Sequence, residues 1–207
     1  MHIAIPLYPR FTALDAVGPY TVLAFAPDIA VTFVAAERGP VIDDKGQLTM
    51  EAASSFDEMA RPDVIVVPGG PGTRAAMSDR RLLRWIAEAH EHTRVTASVC
   101  SGALVLGAAG LLQGRSATTH WGWLQYLKGL GAVPVAERVV IDGRLMTAAG
   151  VSAGIDMGLT LLATLTSAET AQTVQLAIEY DPRPPFQAGS PHSAPPGMAK
   201  HALGLIS

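Results

Sequence analysis

Cys100, Asp15 and the glycine run at 68–72 are the positions in this 207-residue chain whose residue types could support covalent and acid–base chemistry. Cys100 is the single cysteine, and it stands where an apolar stretch, Val95 to Val99, gives way to Ser101-Gly102-Ala103. Small residues there let a strand turn sharply into a helix and expose the sulfur. The helix N-terminus would lower the thiol pKa below its free value of about 8.5. The other reading is a buried cysteine acting as a small hydrophobe.

Pro68-Gly69-Gly70-Pro71-Gly72 could aim the Gly70 N–H at a developing oxyanion, with the Ser101 N–H as second donor; a plain tight turn is the alternative. Neither a GxGxxG pattern nor a P-loop lysine is present, so these glycines do not read as a nucleotide site. A carboxyl from Asp15 facing the sulfur could be held protonated and act as general acid, then as base; otherwise Asp15 caps a helix. Asp156 is a second carboxylate, with stabilisation of a helix terminus as its simpler role. His120 could complete a Cys-His pair or be a hydrogen-bonded structural histidine. No two of the six histidines make an i, i+4 pair on a helix, so no metal is expected. Trp121, Trp123 and Tyr126 read as core or interface aromatics.

Alternating strands and helices must position these groups. Strands are expected at His2–Leu7, Ile29–Ala35, Val64–Val67 and Val95–Val99, the last two continuous enough to be covered on both faces. Helices are expected at 15–26, with Gly18-Pro19 near its start, and at 79–91, capped by Ser78. Further helices are expected from Ser101 to about Ala109, at 121–130, and at 150–165 from near Ser152. Thr166-Ser167-Ala168-Glu169 matches a capping box for a last helix ending near Tyr180. Asp43-Asp44-Lys45-Gly46 and Asp142-Gly143 mark hairpins. Six of the fifteen prolines fall in 181–197, which predicts an extended tail. The pattern is that of a parallel α/β sheet wrapped on both faces, whose sites form at the carboxyl ends of strands.

A hydrophobic fraction of 49% against 16% charged residues predicts one compact, largely buried domain over 1–207, with 181–207 as its tail. The longest apolar candidate for a membrane span, Ala97 to Leu112, is broken by Ser98, Ser101 and three glycines, and it falls short of ~20 residues. A net charge of −3 offers no field for a phosphate backbone. The start MHIAIPLYP lacks a basic segment, and a lone cysteine forms no internal disulfide, so a reducing, cytoplasmic setting is expected.

LDAVGP around Asp15, VIVVPGGPGT, SVCSGALVLGAAGLL around Cys100, ATTHW and GVSAGIDMGL together resemble the ThiJ/PfpI superfamily of cysteine-nucleophile proteins. The ending EYDPRPPFQAGSP extends the likeness over nearly the whole chain, closest to the branch of isocyanide hydratases and the ligand domains of AraC-type regulators. The resemblance implies a flavodoxin-like, class I glutamine amidotransferase-like sandwich, a homodimer, and a cysteine on a strained strand-to-helix elbow. It puts the acidic partner of the sulfur at Asp15, where glyoxalase-like and chaperone-like members carry glutamate, which favours the hydratase branch. Ser101 stands where PfpI-protease-like members have histidine, against peptidase activity.

On this resemblance Cys100 attacks the terminal carbon of an isocyanide, Asp15 moves the protons, and water releases an N-substituted formamide from a thioimidate. Gly70 and Ser101 bind oxygen, the Ser101 hydroxyl holds the sulfur, and Pro71, His120, Trp121 and Val151 line the substrate pocket. No cofactor, metal, nucleic acid or membrane is called for. Two rival readings are a ligand-sensing module without DNA binding of its own and a redox or stress sensor acting through oxidation of Cys100. Regulators with such a domain continue into a helix-turn-helix; a redox sensor predicts high peroxide reactivity without hydration.

Overall fold

The structure is a computed structural model and describes residues 1–206. In chain order its elements are β1 His2–Pro6, α1 Ala13–Leu23, β2 Ala30–Ala35, β3 Gly39–Ile42, β4 Thr49–Ala52, β5 Ser54–Ser55 and β6 Val64–Val67. Then come α2 Thr73–Ala76, α3 Arg80–His90, β7 Val95–Val99, α4 Gly102–Ala108, β8 Ser116–Ala117, a 3-10 turn Trp121–Trp123, α5 Tyr126–Gly129 and β9 Val133–Pro134. The chain continues through β10 Val139–Asp142, β11 Leu145–Ala148, α6 Ala153–Leu165, α7 Ala168–Ala177 and α8 Met198–Ile206.

Seven strands form one sheet in the order β10-β11-β7-β6-β1-β2-β5, parallel throughout except for β10, which pairs antiparallel with β11. The sheet, flanked by helices, is the mostly parallel α/β architecture expected. Every residue of β6 and β7 is buried, which is why both read as continuous apolar or small-residue runs rather than alternating ones. From β1 the chain moves to β2 on one side of the sheet, while β6 and then β7 build on the other. Right-handed crossovers place the connecting helices of the two halves on opposite faces. Accordingly α1 packs with α6, and α6 with α7, while α2, α3 and α5 pack on α4. The order of strand addition reverses between the parallel strands β1 and β6, the kind of place at whose carboxyl ends sites form in such sheets. No helix of the described residues is long and apolar enough to cross a membrane.

Several local expectations are corrected. Asp79, not Ser78, caps α3: its Oδ1 accepts from the N–H groups of Arg81 at 2.9 Å and Leu82 at 3.2 Å. The capping box at Thr166 does not form. Ser167 caps α7 by accepting from Thr170 N–H at 3.1 Å, while the Thr166 hydroxyl turns back to donate to Leu162 O at 2.7 Å and closes α6. The helix expected over 121–130 is only the 3-10 turn, capped by His120 Nδ1 accepting from the Gly122 N–H at 3.2 Å, and the single turn α5, as Gly122 and Gly129 weaken a continuous helix. Pro19 lies inside α1 rather than at its start, packed against α6 at Gly154 and Gly158. The short elements β5, β8, β9 and α2 carried no sequence signal of their own.

Candidate active site

Three neighbouring strands deliver three groups to one edge of the sheet. β7 ends at Cys100, β6 ends at Pro68-Gly69-Gly70, and β1 leads into α1, whose first turn carries Asp15. Cys100 adopts φ 57°, the left-handed region that costs a non-glycine residue about 1–2 kcal/mol. Both sides of the bend are clamped. The Cys100 N–H donates to Ala148 O at 3.1 Å, and its carbonyl accepts from the Thr119 hydroxyl at 2.7 Å.

Close backbone approach explains two of the glycines at this edge. A Cβ on Gly102 would lie 2.2 Å from Val67 O, and one on Gly69 would lie 2.5 Å from Ser101 N. The loop after β6 and the elbow after β7 therefore pack main chain on main chain. This contact brings the two strand ends together over the sulfur.

Asp15 is fully buried and is not the helix cap; that place belongs to Thr12, whose carbonyl accepts the Asp15 N–H at 3.0 Å. Its Oδ2 accepts from Gly69 N–H at 2.9 Å. Its Oδ1 is buried without a hydrogen-bond partner, and the carboxyl interacts with the Cys100 thiol. Burial pushes the Asp15 pKa from 3.8 up to about 7, against the pull of the Gly69 N–H and the thiol, with the charge of Asp44 adding to the rise.

Cys100 is 7% exposed. The expectation of a depressed thiol pKa is corrected: burial and then the charge of Asp15 push the thiol well above its ordinary range, and the Ser101 N–H and hydroxyl only partly offset this. The two groups cannot both be charged. At neutral pH the thiol keeps its proton, while Asp15 is near the midpoint of its titration.

Ser101 is buried, with Oγ accepting from Gly70 N–H at 2.9 Å and lying 2.8 Å from Thr73 Oγ1. The Gly70 N–H is thus occupied by Ser101 in this state. It reaches a substrate oxygen only by giving that bond up, whereas the Ser101 N–H lies near enough to the sulfur to lower the thiol pKa. Behind Thr73 stands Tyr8, which donates to Pro68 O at 2.6 Å and lies 3.2 Å from Thr73 Oγ1. Tyr8, Thr73 and Thr119 are residues that sequence reasoning missed. The only available signals were the Tyr-Pro that ends the first strand and the threonine directly after the glycine run.

His120 is buried, its pKa lowered by that burial, and with Nδ1 accepting from Gly122 its neutral ring carries the proton on Nε2. It makes no hydrogen bond to Cys100; the adjacent Thr119 does. Trp121 tilts against the His120 ring at 5.2 Å between centroids. Gly150, just before Val151, lies against the same ring, and Pro71 follows Gly70. These four residues therefore sit on loops tied to the elbow, but none hydrogen-bonds Cys100 or Asp15. Asp156 lies apart, paired with Arg138 at 2.5 Å and accepting from Tyr180 at 3.2 Å, which ties the end of the α7 segment to the start of α6. Among the described residues no three His, Cys, Asp or Glu side chains gather as a metal would require.

Residues 1–164 match the DJ-1/PfpI family. The chain belongs to that family. Within it, the sequence is 46% identical over 202 residues to an isonitrile hydratase of Pseudomonas putida, covering 98% of this chain and 88% of that protein. It is 30% identical over 187 residues to the DJ-1 homolog A of Arabidopsis thaliana, covering 88% of this chain but 47% of that longer protein. The fold superposes on the crystal structure of a ThiJ/PfpI family protein from Pseudomonas syringae with a TM-score of 0.94 at 40% identity, over 99% of this chain and 85% of the other. The likeness to the two Pseudomonas proteins runs through the tail as well as the sheet.

Proposed function

We propose that the protein is a cysteine-dependent hydratase that converts an isocyanide and water into an N-substituted formamide. The observation that carries the chemistry is the pairing of Cys100, on its strained elbow, with a fully buried carboxyl whose proton is held to about pH 7. The substrate class follows from the isonitrile hydratase of P. putida, the relative at 46% identity.

The reaction needs a nucleophile and a proton delivered to the same carbon. Asp15 takes the Cys100 thiol proton as the sulfur attacks the terminal carbon of R–N≡C, then returns that proton to the carbon, leaving the thioimidate R–N=CH–S. Asp15 next removes a proton from water as oxygen adds to this carbon and passes that proton to the nitrogen, which leaves Asp15 ionised again. The resulting R–NH–CH(OH)–S breaks its C–S bond, releasing R–NH–CHO, and the hydroxyl proton returns to the sulfur through Asp15. The Ser101 N–H is the donor best placed for the developing oxygen; Gly70 N–H joins it if released from Ser101 Oγ. Pro71, His120, Trp121 and Val151 form the walls around R. No step calls for a cofactor.

A second copy completes the assembly in this reading. Leu14, Val17 and Tyr20 stand on one side of α1, at 43%, 37% and 37% exposure, on the helix that carries Asp15. Sedimentation at about twice 21.6 kDa is expected, and a species at 21.6 kDa alone rejects the dimer. The function is tested by incubating the chain with an aryl or alkyl isocyanide and measuring formamide. Release by the native chain and none by Cys100→Ala is expected; equal release by both removes the nucleophile, and none by either removes the substrate class.

A further inference from the structure

Tyr8, Thr73 and Ser101 form an unbroken line of buried hydroxyls that ends beside Cys100, close enough for the Ser101 hydroxyl to lower the thiol pKa, and the reaction above leaves it without a role. Each hydroxyl has one proton to donate and two lone pairs to fill. Tyr8 spends its proton on Pro68 O, the shortest contact in the line at 2.6 Å, so toward Thr73 it can only accept. Thr73 therefore has two acceptors for one proton: Tyr8 at 3.2 Å and Ser101 at 2.8 Å.

When Thr73 donates to Ser101, the serine oxygen accepts from both Thr73 and the Gly70 N–H, and its lone pairs are full. The serine proton is then held only by a long bond to Gly70 O at 3.4 Å, and it is free to turn to the neighbouring sulfur when that carries charge. When Thr73 donates to Tyr8 instead, Ser101 donates to Thr73 and the sulfur loses its hydroxyl donor. The line thus has two settings, and they differ in how well they hold negative charge on sulfur. In a site closed to water, reorienting two protons does what solvent reorganisation would do outside.

We infer that Tyr8 and Thr73 are positioning residues that set the direction of the Ser101 hydroxyl, turning its proton toward Cys100 when the sulfur carries charge. The inference rests on reading Cys100 as a nucleophile, but it is indifferent to the identity of the substrate. Two consequences have opposite sign. Loss of the Thr73 hydroxyl removes the donor that fills Ser101, and so weakens support for the thiolate. Loss of the Tyr8 hydroxyl removes the competing acceptor, leaves Thr73 only Ser101 to donate to, and favours the charge-holding setting.

The test is alkylation of Cys100 by iodoacetamide in the full chain from pH 6 to pH 10, which reads thiolate without isocyanide chemistry. Thr73→Val is expected to slow alkylation near neutral pH about tenfold and move the pH profile upward, the range of one hydrogen bond to a charged group. Thr73→Ser restores the rate, and Tyr8→Phe alkylates as fast as the wild type or faster. Wild-type rates for Thr73→Val, failure of Thr73→Ser to restore the rate, or slowing by Tyr8→Phe in parallel with Thr73→Val overturns the relay. Parallel slowing would mean that both residues are only scaffolding.

Should Thr73→Val not fold, comparing Tyr8→Phe with the double variant Tyr8→Phe/Ser101→Ala decides the question. Acceleration by Tyr8→Phe must vanish without the Ser101 hydroxyl; acceleration that persists, or slowing by Tyr8→Phe, overturns the inference. An inert wild-type thiol overturns both this inference and the nucleophile. The expected alkylation pattern without formamide release removes only the isocyanide substrate.

Discussion

Asp15→Asn separates what the site needs from what the fold needs. Burial raises the Asp15 pKa from 3.8 to about 7. A carboxyl raised in the folded state contributes stability that is fully present below its unfolded value and is lost as pH climbs through the folded value. The loss therefore runs from about pH 4 to just above pH 7. Three pH units at 1.36 kcal/mol each make it about 4 kcal/mol, roughly 8–16 °C in Tm for a chain of this size.

The asparagine keeps an acceptor for the Gly69 N–H but has no proton to lose, so its stability lacks this slope. Urea unfolding of both proteins at pH 4 and pH 8.5 measures the difference of differences, in which the fixed cost of burying the new amide cancels. The wild type should lose about 4 kcal/mol relative to Asp15→Asn across that span. Formamide release by Asp15→Asn should fall about 10²–10⁴-fold. Parallel stability curves would mean that Asp15 is not held protonated, and near-wild-type turnover would remove it from the chemistry.

Other consequences follow from the same contacts. Formamide release by the wild type should rise with pH through about 7, as Asp15 becomes the base, and kcat/KM measured from pH 5 to 9 should lose that limb in Asp15→Asn. Cys100→Gly should be more stable to heat than Cys100→Ala by about 1 kcal/mol, because only glycine relieves the positive φ; equal Tm values would contradict a strained elbow. Ser98 Oγ is buried without a partner, so Ser98→Ala should leave activity intact and stabilise the chain by about 1 kcal/mol, read from the urea midpoint. Gly69→Ala should cost about 1–3 kcal/mol and most of the activity, since its Cβ meets Ser101 N at 2.5 Å and Oγ at 2.6 Å; wild-type stability would refute that close approach.

The sheet was legible because its information is local. Val64–Val67 and Val95–Val99 announce strands buried on both faces, and the turn residues at 43–46 and 142–143 lie at the tips of the hairpins β3–β4 and β10–β11. The placement of Cys100 at a strand-to-helix bend was legible for the same reason, since Gly102 and Ala103 follow it. Capping was less so. Thr166 and Ser167 are both competent caps, and which one serves depends on whether α6 still has a carbonyl to close; Leu162 O does, and it claims Thr166. The 121–130 segment misled because its apolar residues are spaced as in a helix, yet Gly122 and Gly129 let it break into a 3-10 turn and a single α-turn.

Electrostatics was the part least open to local reading. The helix that begins after Cys100 argues for an acidic thiol, and it does contribute the Ser101 N–H. But a helix terminus is worth ~0.3–2 kcal/mol, less than the several kcal/mol of desolvating a charge. The desolvation comes from Asp15, the glycine loop and the core closing over the sulfur, groups 30 and more residues away in the chain. The outcome is a pair with both pKa values raised, and in the proposed reaction the carboxylate serves as base and the thiol as proton source. An elbow with an acidic thiol and a distant carboxylate would make a reactive cysteine. In the reaction proposed above, adding S–H across a single terminal carbon requires the proton to be returned where the sulfur has bonded, and a carboxyl buried beside Cys100 with a raised pKa suits that task at a cost in stability.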